Sequence, residues 1–112
     1  MTKAEAKKWC LKKFQYIIKN NGEINFEKLE EEYPIFLTFY VECAYCELYY
    51  HKKNDGKNDS AEYCYGCPLR KLGTNYDTKD IGCMQEGHPY YNWYNDETKE
   101  NAEKVYQAIK DN

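Results

Sequence analysis

Five cysteines between residues 43 and 83 offer the clearest chemistry in this chain. Cys43-Ala44-Tyr45-Cys46 and Cys64-Tyr65-Gly66-Cys67 are two Cys-x-x-Cys pairs with 17 residues between them, and Cys83 follows. A short turn aims both thiolates of such a pair at one ion, and the spacer lets two pairs close a tetrahedron, so the pattern predicts one structural zinc ion. Cys43, Cys46, Cys64 and Cys67 form the symmetrical ligand set. Cys83 in place of Cys43 is an arrangement that spacing leaves open. Gly66 suits the positive φ such a turn often needs, and Pro68 fixes its exit. With enough thiolates present, His51 and His88 read as ordinary surface or partly buried imidazoles.

A site closed by four thiolates has no open coordination position and makes a poor Lewis acid, so hydrolytic metal catalysis is not expected. Disulfide exchange by a Cys-x-x-Cys pair needs the pair at a strand-to-helix junction of a βαβ pattern, and none surrounds Cys43 or Cys64. There is no His-Glu-x-x-His, His-x-Glu or phosphate-cradling glycine loop. The expectation is a protein that is not an enzyme.

The second unusual feature is aromatic: 13 Tyr, 4 Phe and 2 Trp in 112 residues exceed what one small core needs. Tyr and Trp serve as interface anchors because they bury a large rigid area at small entropy cost. Tyr90, Tyr91, Trp93 and Tyr94 are therefore candidate partner-binding residues, read as one exposed cluster. Aromatics also stack single-stranded bases, a use that accompanies a positive groove. The charge balance argues against one. Residues 1–22 carry six Lys and one Glu, residues 23–47 carry seven Glu and one Lys, and Arg70 is the one arginine among 16 basic residues. A phosphate or base reader prefers the guanidinium fork.

These residues need elements to hold them. Thr2 and Glu5 form a capping box, after which Ala6, Cys10, Phe14, Ile17 and Ile18 recur at helical spacing until Asn20-Asn21-Gly22, giving a helix over 2–21. Lys8, Lys12, Gln15 and Lys19 occupy its opposite face, and Cys10 reads as a small buried hydrophobe. Asn25 caps a short acidic helix that Tyr33-Pro34 ends. Ile35 to Val41 is continuously apolar apart from Thr38, which fits a buried strand or a short buried helix; the reading leans to a helix leading into Cys43. Lys52 to Ser60 is a polar, turn-rich loop. Asn95 or Asp96 caps a last helix over 96–110, with Ala102, Val105, Tyr106 and Ile109 on one face. The prediction is a mainly α (small α or α+β) single domain over 1–112. Its terminal helices pack together and clamp a cysteine-rich centre over 43–83.

At this size a metal contributes much of the stability. No apolar run approaches a membrane span, and the first residues, Met1 to Lys8, contain no apolar h-region or cleavage signal. A reducing, cytoplasmic location is expected, where six cysteines favour metal ligation; in an oxidising compartment the same six would read as disulfides.

The chain also resembles a group of small proteins of phages and prophages of low-GC Gram-positive bacteria. The shared order is an N-terminal helix bearing Trp9, a Cys-x-x-Cys, the Cys-x-x-Cys-Pro-Leu of Cys64 to Leu69, Cys83, the aromatic-x-x-Trp of Tyr90 to Trp93, and a closing helix. The cysteine pattern is the specific part. The resemblance implies a zinc-bound fold with no assigned activity. By analogy with phage proteins of this size it suggests an inhibitor of a host defence nuclease, anti-CRISPR proteins included. A zinc-ribbon-like nucleic-acid binder is the alternative.

Overall fold

The computed structural model describes residues 1–39, 43–45, 47–48 and 88–111. It is mainly helical: α1 (Lys3–Lys19), α2 (Phe26–Glu32), a 3₁₀ helix (Pro34–Thr38), α3 (Pro89–Asn95) and α4 (Lys99–Asp111). As expected from the periodicity of both ends, α1 packs against α4; α3 also packs on α4, and α2 packs on the 3₁₀ helix.

α1 begins with the reciprocal cap read from the sequence. The Thr2 hydroxyl accepts the Glu5 N–H at 3.1 Å, and the Glu5 carboxylate accepts the Thr2 N–H at 3.3 Å. Two backbone donors that have no partner inside the helix are thereby satisfied. The helix closes where Asn21 (φ 59°) and Gly22 (φ 91°) turn left-handed and the Gly22 N–H donates to the Ile17 carbonyl at 2.8 Å. The buried stripe consists of Ala6, Cys10, Phe14 and Ile17, joined by Lys13, which the periodicity had not placed inside.

Asn25 caps α2 by accepting the Lys28 N–H, and Leu29 alone of that helix is buried. The apolar run after Pro34 is neither a strand nor an α-helix where it is described. It tightens into a 3₁₀ helix in which the Phe36 N–H donates to Tyr33 and the Phe39 N–H to Phe36. Side chains three apart eclipse in this geometry, so Tyr33, Phe36 and Phe39 stack edge to face, with Trp9 of α1 against Tyr33 and Phe36.

The C-terminal expectation is corrected in its boundary. Tyr90 to Tyr94 are themselves helical, with Pro89 in the first turn and His88 as cap, and α4 starts only at Lys99. Asp96 has extended backbone (φ −147°), which ends α3. The cap of α4 is Thr98, whose hydroxyl accepts the Asn101 N–H at 3.2 Å. Ala102, Val105 and Ile109 are fully buried against α1. Each large apolar side chain so buried contributes about 1.5–3 kcal/mol.

Two loops lock the helices to each other. The Trp93 indole N–H donates to the Gly22 carbonyl at 2.7 Å, and the Glu97 carboxylate accepts the Ile24 N–H at 3.1 Å. The turn leaving α1 is therefore fastened to the junction between α3 and α4.

Candidate functional site

The chemistry within the described residues gathers on the inner face of α1. Cys10 and Lys13 are three residues apart and so share a face. Cys43 meets them from the segment after the 3₁₀ helix, and Tyr90 from the first turn of α3. The Cys10 thiol hydrogen-bonds to the Cys43 sulfur, and the backbone N–H of Tyr45 hydrogen-bonds to the Cys10 sulfur. Both thiols are buried and reduced. Burial pushes the Cys10 thiol well above its ordinary range, and the contact with Cys43 pushes it further. The Tyr45 N–H and the Lys13 charge pull in the opposite direction.

Lys13 is only 2% exposed. Its ammonium donates to the Tyr90 hydroxyl at 3.3 Å. It lies 5.6 Å from the Tyr90 ring centroid, 5.7 Å from that of Phe26 and 5.9 Å from that of Phe14. Ring quadrupoles and the hydroxyl thus replace part of the water a buried cation gives up. Burial pulls the Lys13 ammonium towards deprotonation, but Tyr90, Cys43 and Cys10 outweigh it and hold the group above its ordinary value. Sequence reasoning put Lys8, Lys12 and Lys19 on the outer face of α1 and left Lys13 unplaced. The overlooked signal was position: Lys13 falls between Cys10 and Phe14 on the stripe that faces the core.

Of the expected zinc ligands, Cys43 is described and buried, while Cys46, Cys64, Cys67 and Cys83 lie outside the described residues, as do His51 and the Lys52–Ser60 loop. Among the described residues no three His, Cys, Asp or Glu side chains converge in a metal-binding group. His88, expected as a surface or partly buried imidazole, is fully buried at the start of α3, where its Nδ1 accepts the Tyr90 N–H at 2.9 Å.

The four aromatics expected to form one exposed cluster divide between core and surface. Trp93 is 2% exposed and packs edge-on against Phe14, with ring centroids 5.1 Å apart. Tyr90 is half-buried between Phe14 and Trp93. Tyr91 is half-buried, and Tyr94 is 58% exposed. A seven-residue helix turns its side chains through every direction, so consecutive aromatics cannot share one face.

A different surface arises in their place. Phe26, 42% exposed, and Tyr90 flank the same ammonium, and Tyr94 stands one turn beyond Tyr90 on α3. Glu97 is tied to Ile24, two residues before Phe26, which brings the exposed Asp96 and Glu97 beside the start of acidic α2 with its exposed Glu27. The exposed rings of Phe26 and Tyr94 are thus each accompanied by nearby exposed carboxylates. On α1, Lys8 and Lys12 lie over Trp9 and Tyr33 at 5.2 and 5.5 Å from the ring centroids. No helix among the described residues is long and apolar enough to cross a membrane. Comparison of the chain with protein-family models, with curated proteins and with solved structures gives no match.

Proposed function

We propose that this is a non-enzymatic, zinc-stabilised protein of phage type that acts in the host cytoplasm by binding, and inhibiting, a host protein such as a defence nuclease. The observation that carries the binding part is that the large rings of Phe26 and Tyr94 stand in solvent, each close in sequence to exposed carboxylates, Glu27 for the first and Asp96 and Glu97 for the second. Rigid rings supply contact area at small entropy cost, and a carboxylate border suits a basic face, such as the nucleic-acid groove of a nuclease. The zinc reading rests on the cysteine spacing and the phage reading on resemblance. The alternative, a zinc-ribbon-like nucleic-acid binder, draws on the lysines of α1. Their seating on Trp9 and Tyr33 also has a packing explanation, since long cationic side chains cover apolar surface with their stems.

The experiment is affinity purification from a low-GC Gram-positive bacterium, with mass spectrometry of the co-purifying proteins, run in parallel for the wild type and Tyr94→Ala. A partner captured by the wild type and weakened at least tenfold by Tyr94→Ala, at unchanged thermal stability, supports the reading. Equal capture by both removes Tyr94 from the interface. Tight, salt-sensitive binding of duplex DNA in a gel shift promotes the nucleic-acid alternative.

A further inference from the structure

We infer that the Asn21–Gly22 peptide is a self-modification site gated by the docking of the α1 turn on the junction of α3 and α4. It is inert while docked, and it converts to isoaspartate when the turn opens. Asparagine is a thermolabile residue, and a following glycine leaves the attacking nitrogen without a side chain beside it. In the reaction the Gly22 nitrogen loses its proton and bonds to the Asn21 side-chain carbonyl carbon, Cγ. The Cγ–Nδ2 bond breaks, and ammonia leaves with the proton, closing a succinimide ring. Water then opens the ring at either carbonyl. Opening at the side-chain carbonyl leaves aspartate. Opening at the main-chain carbonyl leaves isoaspartate, in which the chain runs through the side chain and gains a methylene. Water is the only other reactant, and no electrons are transferred.

Hydrogen bonds hold the reaction back in the folded chain. The buried Gly22 donates its N–H to the Ile17 carbonyl at 2.8 Å, which keeps that proton from base until the turn opens. The succinimide nitrogen bears no proton, so the ring cannot coexist with this bond. The Gly22 carbonyl accepts the Trp93 indole N–H at 2.7 Å, and the Ile24 N–H donates to the Glu97 carboxylate at 3.1 Å. Asn21, by contrast, is exposed. The side-chain amide of Asn20 is tied to the Glu23 carbonyl at 3.1 Å, and no glycine follows it. The nucleophile is therefore locked while the amide it would attack stands in water.

The isoaspartate product cannot dock again. Gly22 lacks room even for a Cβ, which would overlap the Thr98 carbonyl and the Lys99 nitrogen, so an added main-chain methylene displaces the turn from the start of α4. The new carboxylate also lies at the carbonyl end of α1 beside exposed Glu23, where negative charge is unfavourable. Conversion thus traps molecules whose α1 turn has opened.

The test follows the full chain, with zinc in excess and at mildly alkaline pH, by peptide mapping with isoaspartate-specific methylation. Folded wild type should convert at Asn21 at least about tenfold more slowly than the same chain in urea, the factor being set by how rarely the turn opens. Trp93→Phe and Glu97→Ala, each checked for folding by circular dichroism, should convert several-fold faster than folded wild type, because each removes one fastening and leaves Asn21 and Gly22 intact. Equal rates for folded and urea-unfolded wild type overturn the inference, as does a failure of Asn21 to convert in urea. Wild-type rates in both folded variants overturn gating by docking. The purified isoaspartate form should melt below the wild type, and an unchanged melting temperature overturns the trap.

Discussion

Gly22 is the position where one methyl group should do the most damage. Its φ of 91° lies in the left-handed region. A Cβ built there falls far inside contact distance of the Thr98 carbonyl and the Lys99 nitrogen, all backbone atoms of the turn that opens α4. No side-chain rotation relieves that overlap, so Gly22→Ala must either force a strained φ/ψ or push the α1 turn away from α4. Strain of this kind costs about 1–3 kcal/mol, and overpacking against fixed backbone costs about 1–3 kcal/mol more. Moving the turn also lengthens the 2.7 Å bond from the Trp93 indole to the Gly22 carbonyl. The expected loss is about 3–6 kcal/mol, a large part of the roughly 5–15 kcal/mol net stability of a domain. At about 4–8 °C per kcal/mol, the melting temperature should drop by at least ~12 °C. The assay is thermal and urea unfolding followed by circular dichroism and tryptophan fluorescence, with zinc in excess. Asn21→Gly is the control, since Asn21 is also left-handed (φ 59°) and should change stability by no more than about 1 kcal/mol. A Gly22→Ala protein melting within about 3 °C of the wild type would refute the reasoning, because it would mean that the close approach to Thr98 is absent.

Trp93→Phe keeps most of the packing against Phe14 but leaves the Gly22 carbonyl without its indole donor; urea unfolding should show a loss of about 1–3 kcal/mol. Lys13 has a raised value in the folded state, so its contribution is fully present below the unfolded lysine value of about 10.4 and is lost as pH rises through the folded value. Lys13→Met should therefore flatten the alkaline limb of a stability–pH profile, and an unchanged limb would count against the Tyr90 contact. Stripping the metal with a chelator should unfold much of the chain, since structural zinc contributes on the order of 10–16 kcal/mol in peptides. A native dichroism spectrum and melting temperature in metal-free protein would remove zinc from the folding account.

Local chemistry explains which parts of this fold were legible in the sequence. The Thr2–Glu5 box, the Asn25 cap and the Ala102, Val105, Ile109 face are each set by residues a few positions apart, and the structure shows all three. The run after Pro34 became a 3₁₀ helix because its stacking partner Trp9 comes from a distant helix, a contact that apolar periodicity does not encode. Tyr90 to Tyr94 looked like an exposed cluster because composition marks aromatics as adhesive without saying which way each one faces; Trp93 faces inward because Gly22 offers a carbonyl. Cys10 is buried as its place on the apolar stripe predicts, whereas Lys13 was left unplaced for the same reason as the aromatics. The burial of Lys13 depends on Tyr90 and Phe26, which reach it only through tertiary structure.

The packing of α1 on α4 has a consequence for the order of events as the chain is made. The Lys7 ammonium caps the Lys110 carbonyl across 103 positions, and Gln15 reaches the Tyr106 hydroxyl across 91. During synthesis α1 emerges well before α4, the helix that packs on its apolar stripe. Until α4 is made, the part of the stripe that it covers stays exposed, which delays folding and leaves the nascent chain adhesive. On the proposed zinc reading, early metal capture by the cysteines would shorten the loop between the two helices and speed closure, and zinc supply during expression should then raise the yield of folded protein.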